Sequence, residues 1–174
     1  PPRSTLFPYT TLFRSAAQQI AQAFEATPYP GDGHIALEGD EGSAIASALA
    51  GIHWQNLPLE TILDYRWDIF LLTPEAFRFY APALMIAALL HHDQIGTVTD
   101  NLIFCLTPQA QEQINNYFAG EFNDYFSRRA AAFSPVEKTA ILTFLDTFAA
   151  VFPLGYLLYD IDLVGRTIEF WRYA

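Results

Sequence analysis

Apolar residues recur at helical spacing along almost the whole chain. Ala17, Ile20, Ala21 and Phe24 repeat at i, i+3, i+4 and i+7, the stripe of an amphipathic helix that buries one face. Similar stripes predict further helices over about 43–49, 58–63, 74–91, 97–105, 114–126, 135–152 and 161–171. No domain linker interrupts this pattern. We therefore predict an all-α, compact single domain of about seven or eight helices.

Three of the predicted helices share the same start. Thr73-Pro74, Thr107-Pro108 and Ser134-Pro135 each place a hydroxyl at the N-cap and a proline at the first helical position. The hydroxyl accepts a hydrogen bond from an unpaired backbone N–H, and proline lacks only an N–H that would be unpaired there anyway. Ser134 is also followed by Glu137 at the spacing of a capping box.

The helix that begins at Pro74 changes character along its length. Residues 81–90 are apolar on every side, which predicts the buried centre of the domain. Pro82 lies inside this half and is expected to kink it. Alternating apolar residues also permit a minor two-stranded element near Ile35–Leu37 and Trp67–Leu71.

The first fifteen residues do not resemble the rest of the chain. Pro1–Ser15 match, at every position, one reading frame of a common short-read library adapter. We therefore expect this segment to be adapter-derived and non-native, in a sequence assembled from environmental reads. Residues 16–174 then form the single domain, and the native N-terminus, with any signal peptide it carried, is missing.

Charge argues against several classes of function. The chain carries nineteen acidic and nine basic residues, a net charge of −10. Without Pro1–Ser15, which contain two arginines and no acid, that charge would be −12. Nucleic-acid binding needs a cationic face, and the largest basic cluster is the pair Arg128-Arg129. An acidic surface suits a basic protein partner, because opposite charges steer the encounter.

Hydrophobicity and cysteine content limit the location. The uncharged stretch Phe79–Leu90 has about twelve residues, whereas a spanning helix needs roughly twenty. The single Cys105 excludes an internal disulfide, and its apolar surroundings favour core packing over a reactive thiol. We expect a cytoplasmic protein with no membrane segment.

Several stretches resemble one uncharacterised bacterial family. They are Tyr29-Pro-Gly-Asp32, Gly51-Ile-His-Trp54, Phe133-Ser-Pro135 and, above all, Leu72-Thr-Pro-Glu-Ala-Phe-Arg-Phe-Tyr-Ala-Pro-Ala-Leu84. They are similar to domain-of-unknown-function family 6714, in which the last stretch reads L-[ST]-P-E-A-F-R-[YF]-Y-L-P-A. Ala81 stands where that family tends to have leucine. The resemblance implies a fold over residues 16–174 but no activity.

The polar residues of this central motif are Glu75, Arg78 and Tyr80. Glu75 in the first turn compensates the helix dipole, and Arg78 is close enough for an i, i+3 pair with it. This structural interpretation is the favoured one. The alternative is a binding site, because the planar guanidinium of Arg78 suits a carboxylate or phosphate.

Histidines give a second set of candidates. His53-Trp54 is read as a loop cap beside a core tryptophan, with half of a binding site as the alternative. Adjacent His91 and His92 point about 100° apart and are a poor metal pair. The acids near Asp32 lack the spacing of a calcium loop, and Asp160 is read as an N-cap. We expect no metal and no cofactor.

Two functions remain open. The favoured hypothesis is a non-enzymatic interaction protein, similar to an immunity protein or antitoxin, that binds a basic protein partner. The alternative is a small-molecule enzyme or sensor that uses Arg78 with His53 or His91. The sequence identifies no catalytic residues and does not fix the oligomeric state.

Overall fold

Eight α-helices make up most of the chain that the structure describes. The structure is a computed structural model, and it describes residues 9–108, 125–152, 157–158 and 161–174. The helices are α1 Tyr9–Ala23, α2 Asp40–Leu49, α3 Leu59–Asp64, α4 Pro74–Leu90, α5 Gly96–Leu106, α6 Tyr125–Ala132, α7 Pro135–Val151 and α8 Leu163–Tyr173. The predicted all-α fold is confirmed.

The second half of α4 forms the centre of the core, as predicted. From Ala81 to Leu89 every residue except the half-buried Ile86 is buried. Helices α1 and α7 pack against each other, and both also contact α4; α5 and α6 lie against α4 elsewhere, and α8 closes the domain on α5 and α7. Pro82 lies within α4, which continues to Leu90. This arrangement surrounds α4 because its apolar surface extends all round the helix.

Local capping fixes the starts of α4 and α7. The Thr73 hydroxyl accepts a hydrogen bond from the Ala76 N–H at 3.1 Å, and the Ser134 hydroxyl accepts one from the Glu137 N–H. The carboxylate of Glu137 accepts the Ser134 N–H in return, which completes the predicted capping box. Thr107 ends α5, and the helix predicted after Pro108 lies largely outside the described residues.

Helix α1 begins earlier than the sequence pattern predicts. It starts at Tyr9, so that Tyr9–Ser15 of the expected adapter-derived segment are helical. Phe13 is buried, and its ring lies 5.6 Å from His92 and 6.4 Å from Phe152 between ring centres. The physical reason is spacing: Phe13 continues the apolar stripe of α1 by one turn. The adapter origin of Pro1–Ser15 stays a prediction.

The two-stranded element that the sequence permitted near Ile35–Leu37 and Trp67–Leu71 is reduced to a single bridge. Ala36 and Leu72 make a single antiparallel bridge, flanked by hydrogen bonds between the backbones of Leu37 and Leu71 and of Thr73 and Ile35. Ile69–Leu71 forms a 3₁₀ turn rather than a strand, as Asp32–His34 and Trp54–Asn56 do. A turn replaces the strand because Leu71 and Leu72 bond back to Asp68 and Ile69.

A short hairpin occurs at a place where no strand was predicted. Leu157–Leu158 and Ile161–Asp162 pair as two-residue antiparallel strands, β1 and β2. Ile161 therefore belongs to β2, and not to the last helix as its spacing had indicated. Asp160 and most of the helix predicted over 114–126 lie outside the described residues.

Candidate functional site

Arg78, the strongest binding candidate of the central motif, is engaged inside the fold. Its Nε donates to both carboxylate oxygens of Glu137, at 3.0 and 2.9 Å. The Arg78 side chain is 27% exposed and that of Glu137 only 2%. The predicted pair between Arg78 and Glu75 is therefore wrong, because a buried carboxylate from α7 occupies the Nε edge. Glu75 lies exposed in the first turn of α4.

Glu137 connects three segments that are distant in sequence. Besides Arg78 from α4, it accepts the hydroxyl of Thr27 at 2.5 Å and the backbone N–H of Ser134 at 2.6 Å. Burial on its own would raise the pKa of Glu137, but the hydrogen bonds from Arg78, Thr27 and Ser134 together hold that pKa below its ordinary value. The carboxylate is thus ionised and fully used within the structure.

Tyr80 is likewise used to join backbone segments. Its hydroxyl donates to the carbonyls of Leu49 at 2.8 Å and Ile52 at 3.1 Å, where α2 ends. Burial foremost, and then the neighbouring Tyr29 and Asp32, raise the pKa of Tyr80 well above its ordinary value. The phenol is therefore neutral and cannot serve as a base near neutral pH.

A second small hydrogen-bond network holds Gly51, which lies between Leu49 and Ile52, the two residues whose carbonyls accept from Tyr80. Tyr29 donates its hydroxyl to Asp32, and both side-chain oxygens accept the Gly51 N–H, at 2.9 and 3.0 Å. Gly51 has a φ of 69°, a conformation that favours glycine. This network fixes the turn that leads to His53 and Trp54.

His53 and Trp54 occupy the positions that the structural interpretation predicted. His53 caps the 3₁₀ turn Trp54–Asn56, its Nδ1 accepting the Gln55 N–H at 3.3 Å. Trp54 is 3% exposed and packs with this turn against α4. Its Nε1–H, however, has no hydrogen-bond partner in the described part of the chain.

A pocket of about 240 Å³ lies between this turn, α3 and α4. Its walls include Trp54, Leu57, Ile62, Ala83, Ala87 and His91. Trp54 and His91, both considered as binding residues in the sequence analysis, thus line the same pocket. Arg78 and His53 are not among the lining residues, so the combination of Arg78 with a histidine in one site does not occur here.

A buried cation, Arg129, escaped the sequence interpretation. It is 1% exposed, its guanidinium lies 4.1 Å from the ring centre of Phe77 and 4.9 Å from that of Tyr125, and Nη2 donates to the carbonyls of Phe70 and Leu72. Nε and Nη1 have no hydrogen-bond partner among the residues that the structure describes. The sequence analysis considered Arg128-Arg129 only as the largest basic cluster, although Arg129 follows Tyr125 at i+4 on the apolar face of α6.

Cys105 lies in the core, as expected. Burial raises the pKa of its thiol, and the opposing effect of Arg129 is smaller. The part of the chain that the structure describes holds no group of three or more histidine, cysteine or acidic side chains able to bind a metal ion. Within the same residues, no helix is both long and apolar enough to cross a membrane.

An exposed tryptophan lies between α3 and the 3₁₀ turn Ile69–Leu71. Trp67 is 60% exposed and precedes Asp68. Burial first, and then the charge of Glu41 at the start of α2, raise the pKa of Asp68. We refer to Trp67, Asp68 and Glu41 as the Trp67 face; Glu38 and Asp40, both exposed, adjoin Glu41 in the chain.

Comparison with known proteins places the chain in a family. Neither the curated proteins nor the solved structures gave a match. A family profile described as a family of unknown function (DUF6714) matches residues 17–174, nearly the whole chain. The central motif from Leu72 to Leu84, with its capping threonine, its half-buried Arg78 and its buried Tyr80, lies within that match. The protein therefore belongs to the DUF6714 family.

Proposed function

We propose that this chain is a non-enzymatic interaction protein that binds a basic protein partner through the Trp67 face, in the manner of an immunity protein or antitoxin. The observation that carries the proposal is the 60% exposure of Trp67, which precedes Asp68, an acid whose pKa is raised by burial and, to a smaller extent, by the charge of Glu41. Large exposed aromatic side chains are common at interaction sites, where tryptophan is enriched among the residues that dominate affinity.

The charges of this face define the partner's chemistry. Glu41 and Asp68 repel each other in the free protein, as the raised pKa of Asp68 reflects after the larger effect of burial. A lysine or arginine that docks between them relieves this repulsion, and its cation can also lie over the indole ring of Trp67. The net charge of −10 steers such a partner toward the surface.

Arg78 and Tyr80 of the central motif are engaged inside the fold, which favours a binding surface elsewhere. Arg78 is bonded to Glu137, and the Tyr80 hydroxyl is bonded to two backbone carbonyls. These side chains stabilise the domain, so they do not compete with the Trp67 face as its recognition site.

The test begins with the basic proteins encoded beside this gene in the source DNA. Each is titrated into the purified chain by calorimetry at low and high salt. We expect one of them to bind with a Kd of about 1 μM or tighter, which is ordinary for a specific complex. Trp67→Ala is expected to weaken binding at least about tenfold, the effect of a hot-spot residue.

A charge-matched control separates local recognition from overall acidity. Two double substitutions each remove two negative charges. The first is Glu41→Gln/Asp68→Asn. The control is Asp146→Asn/Glu169→Gln, which changes exposed residues on α7 and α8. The first is expected to weaken binding far more than the second. Equal effects of the two, or a partner that is indifferent to Trp67→Ala, would place the interface elsewhere and contradict the proposal.

A further inference from the structure

Three of the stretches that resemble the DUF6714 family come together at one place on the surface. Tyr29 and Asp32, from the loop after α1, both accept the N–H of Gly51 through their side chains, and Gly51 lies two positions before His53. The rings of Tyr29 and His53 each lie 5.2 Å from that of Phe79 in the central motif, between ring centres. These contacts place Tyr29, Asp32 and His53 beside one another, and we call the three residues the Tyr29 site.

Two polar atoms of the Tyr29 site are accessible and unpaired. His53 accepts the Gln55 N–H with Nδ1, at 3.3 Å, so the neutral ring carries its hydrogen on Nε2. This Nε2 has no hydrogen-bond partner among the described residues, and it is not buried. Asp32 is exposed and bonds Tyr29 and Gly51 through Oδ1, while its Oδ2 has no partner in the described part of the chain. One donor and one acceptor are therefore available to a ligand.

The third member of the site supplies an apolar surface. Tyr29 is 37% exposed, and its hydroxyl is held by Asp32 and Gly51, so the orientation of its ring is fixed before any ligand arrives. Asp32 and His53 form no ion pair with each other, which leaves the donor and the acceptor to be bridged from outside. The site thus combines an exposed aromatic ring, a carboxylate acceptor and an imidazole donor.

We infer that the Tyr29 site binds one ring of a neutral carbohydrate. A sugar carries C–H groups that pack on an aromatic ring and hydroxyls that both donate and accept hydrogen bonds. One hydroxyl donates to Asp32 Oδ2, and another accepts from His53 Nε2. The carboxylate of Asp32 and the net charge of −10 disfavour an anion, and a cation leaves the donor of His53 unused.

The experiment titrates three neutral probes into the ¹⁵N-labelled full chain: methyl β-D-glucopyranoside, methyl β-D-galactopyranoside and methyl α-D-mannopyranoside. The amide signal of Gly51 and the ring nitrogen signals of His53 report on the site. We expect at least one glycoside to shift both sets of signals with a Kd of about 1 mM, an affinity that a few contacts to one small ligand supply. Methylammonium and acetate, added at the same concentrations, are expected to shift them much less.

Two substitutions and a matched control test the residues. Asp32→Asn removes the charged acceptor and should weaken glycoside binding about tenfold, because hydrogen bonds to charged groups are the stronger ones. His53→Phe keeps a ring beside Phe79 and removes the donor, so it should weaken binding about fivefold. Asp64→Asn, exposed at the end of α3, is expected to leave the affinity unchanged. A thermal transition verifies that each variant is folded.

Three results would each overturn the proposal. They are the absence of any shift with all three glycosides, larger shifts with methylammonium than with the glycosides, and wild-type affinity in both Asp32→Asn and His53→Phe. The first two come from the unsubstituted chain, so they decide the matter even where a variant does not fold. Trp67→Ala should bind the glycosides as the wild type does, which keeps this test independent of the proposed protein partner.

Discussion

Glu137 is the residue on which the arrangement of α1, α4 and α7 most depends. It is nearly fully buried and ionised, and it receives hydrogen bonds from the loop after α1, from α4 and from the N-cap of α7. A buried carboxylate is tolerated only when donors replace its hydration. Here the donors are Arg78, Thr27 and Ser134, and their combined effect outweighs burial, so the pKa of Glu137 is lowered.

This lowered pKa predicts a pH dependence of stability. The folded-state pKa of Glu137 lies below the unfolded value of about 4.3, so its contribution is complete above that value and is lost as pH falls through the folded pKa. Urea unfolding from pH 7 to pH 3 should show a smaller acid loss for Glu137→Gln than for the wild type. The exposed Glu169→Gln should follow the wild type. Parallel curves for wild type and Glu137→Gln would refute the assignment.

The burial of Arg129 predicts that lysine destabilises the protein more than methionine at this position. Its charge is buried, with two carbonyls and two aromatic rings as compensation, and two of its guanidinium nitrogens have no hydrogen-bond partner among the described residues. Lysine would keep the charge but localise it and lose donors, so Arg129→Lys should lower the free energy of unfolding by about 3 kcal/mol or more. Arg129→Met removes the charge and should cost less. Chemical denaturation decides the order, and a less damaging lysine would show that the charge itself is required.

At the scale of elements, the start of α2 depends on a close backbone approach. A Cβ placed on Gly42 would lie 1.9 Å from the carbonyl oxygen of Leu37, whereas one on Gly96, at the start of α5, would meet nothing within 4 Å. The approach fixes α2 against the segment that bridges to Leu72.

Alanine substitutions at Gly42 and Gly96 should therefore change the stability of the protein in different directions. Gly42→Ala forces the backbone of Leu37 to move and should destabilise the protein by about 2 kcal/mol or more, the scale of overpacking. Gly96→Ala should be neutral or stabilise by up to about 1 kcal/mol, because alanine has the higher helix propensity. Thermal and urea unfolding of both variants test this, and a neutral Gly42→Ala would show that the contact is not rigid.

Local chemistry accounts for which elements could be predicted. Thr73 and Ser134 were identified as caps because capping needs only a hydroxyl and its next three residues. The spacing at Trp67–Leu71 permitted a strand where Ile69–Leu71 forms a 3₁₀ turn, since three residues carry no periodicity of their own. Arg78 was assigned to Glu75 on helical spacing, but its true partner lies 59 positions away on α7.

At the scale of the whole molecule, the same limit applies to the sites. The pocket beside Trp54 is assembled from a turn, α3 and α4, and no sequence window contains its walls. His53-Trp54 and His91 were recognised as candidates, but only tertiary packing shows that Trp54 and His91 share a pocket and that His53 faces Phe79, 5.2 Å away between ring centres. The acidity of the protein follows from its composition, whereas the exposure of Trp67 depends on tertiary packing and could not be predicted.

We infer that Arg78 and Tyr80 of the central motif stabilise the fold and leave recognition to other surfaces. A double-mutant cycle between Arg78→Gln and Glu137→Gln, measured by urea unfolding at pH 7, tests this claim most directly. We predict that each single substitution costs about 2 kcal/mol or more and that the two are coupled by about 1.5 kcal/mol, as contacting members of one network are. Additive effects within about 0.3 kcal/mol would contradict it, leaving Arg78 free of Glu137 and available to a ligand.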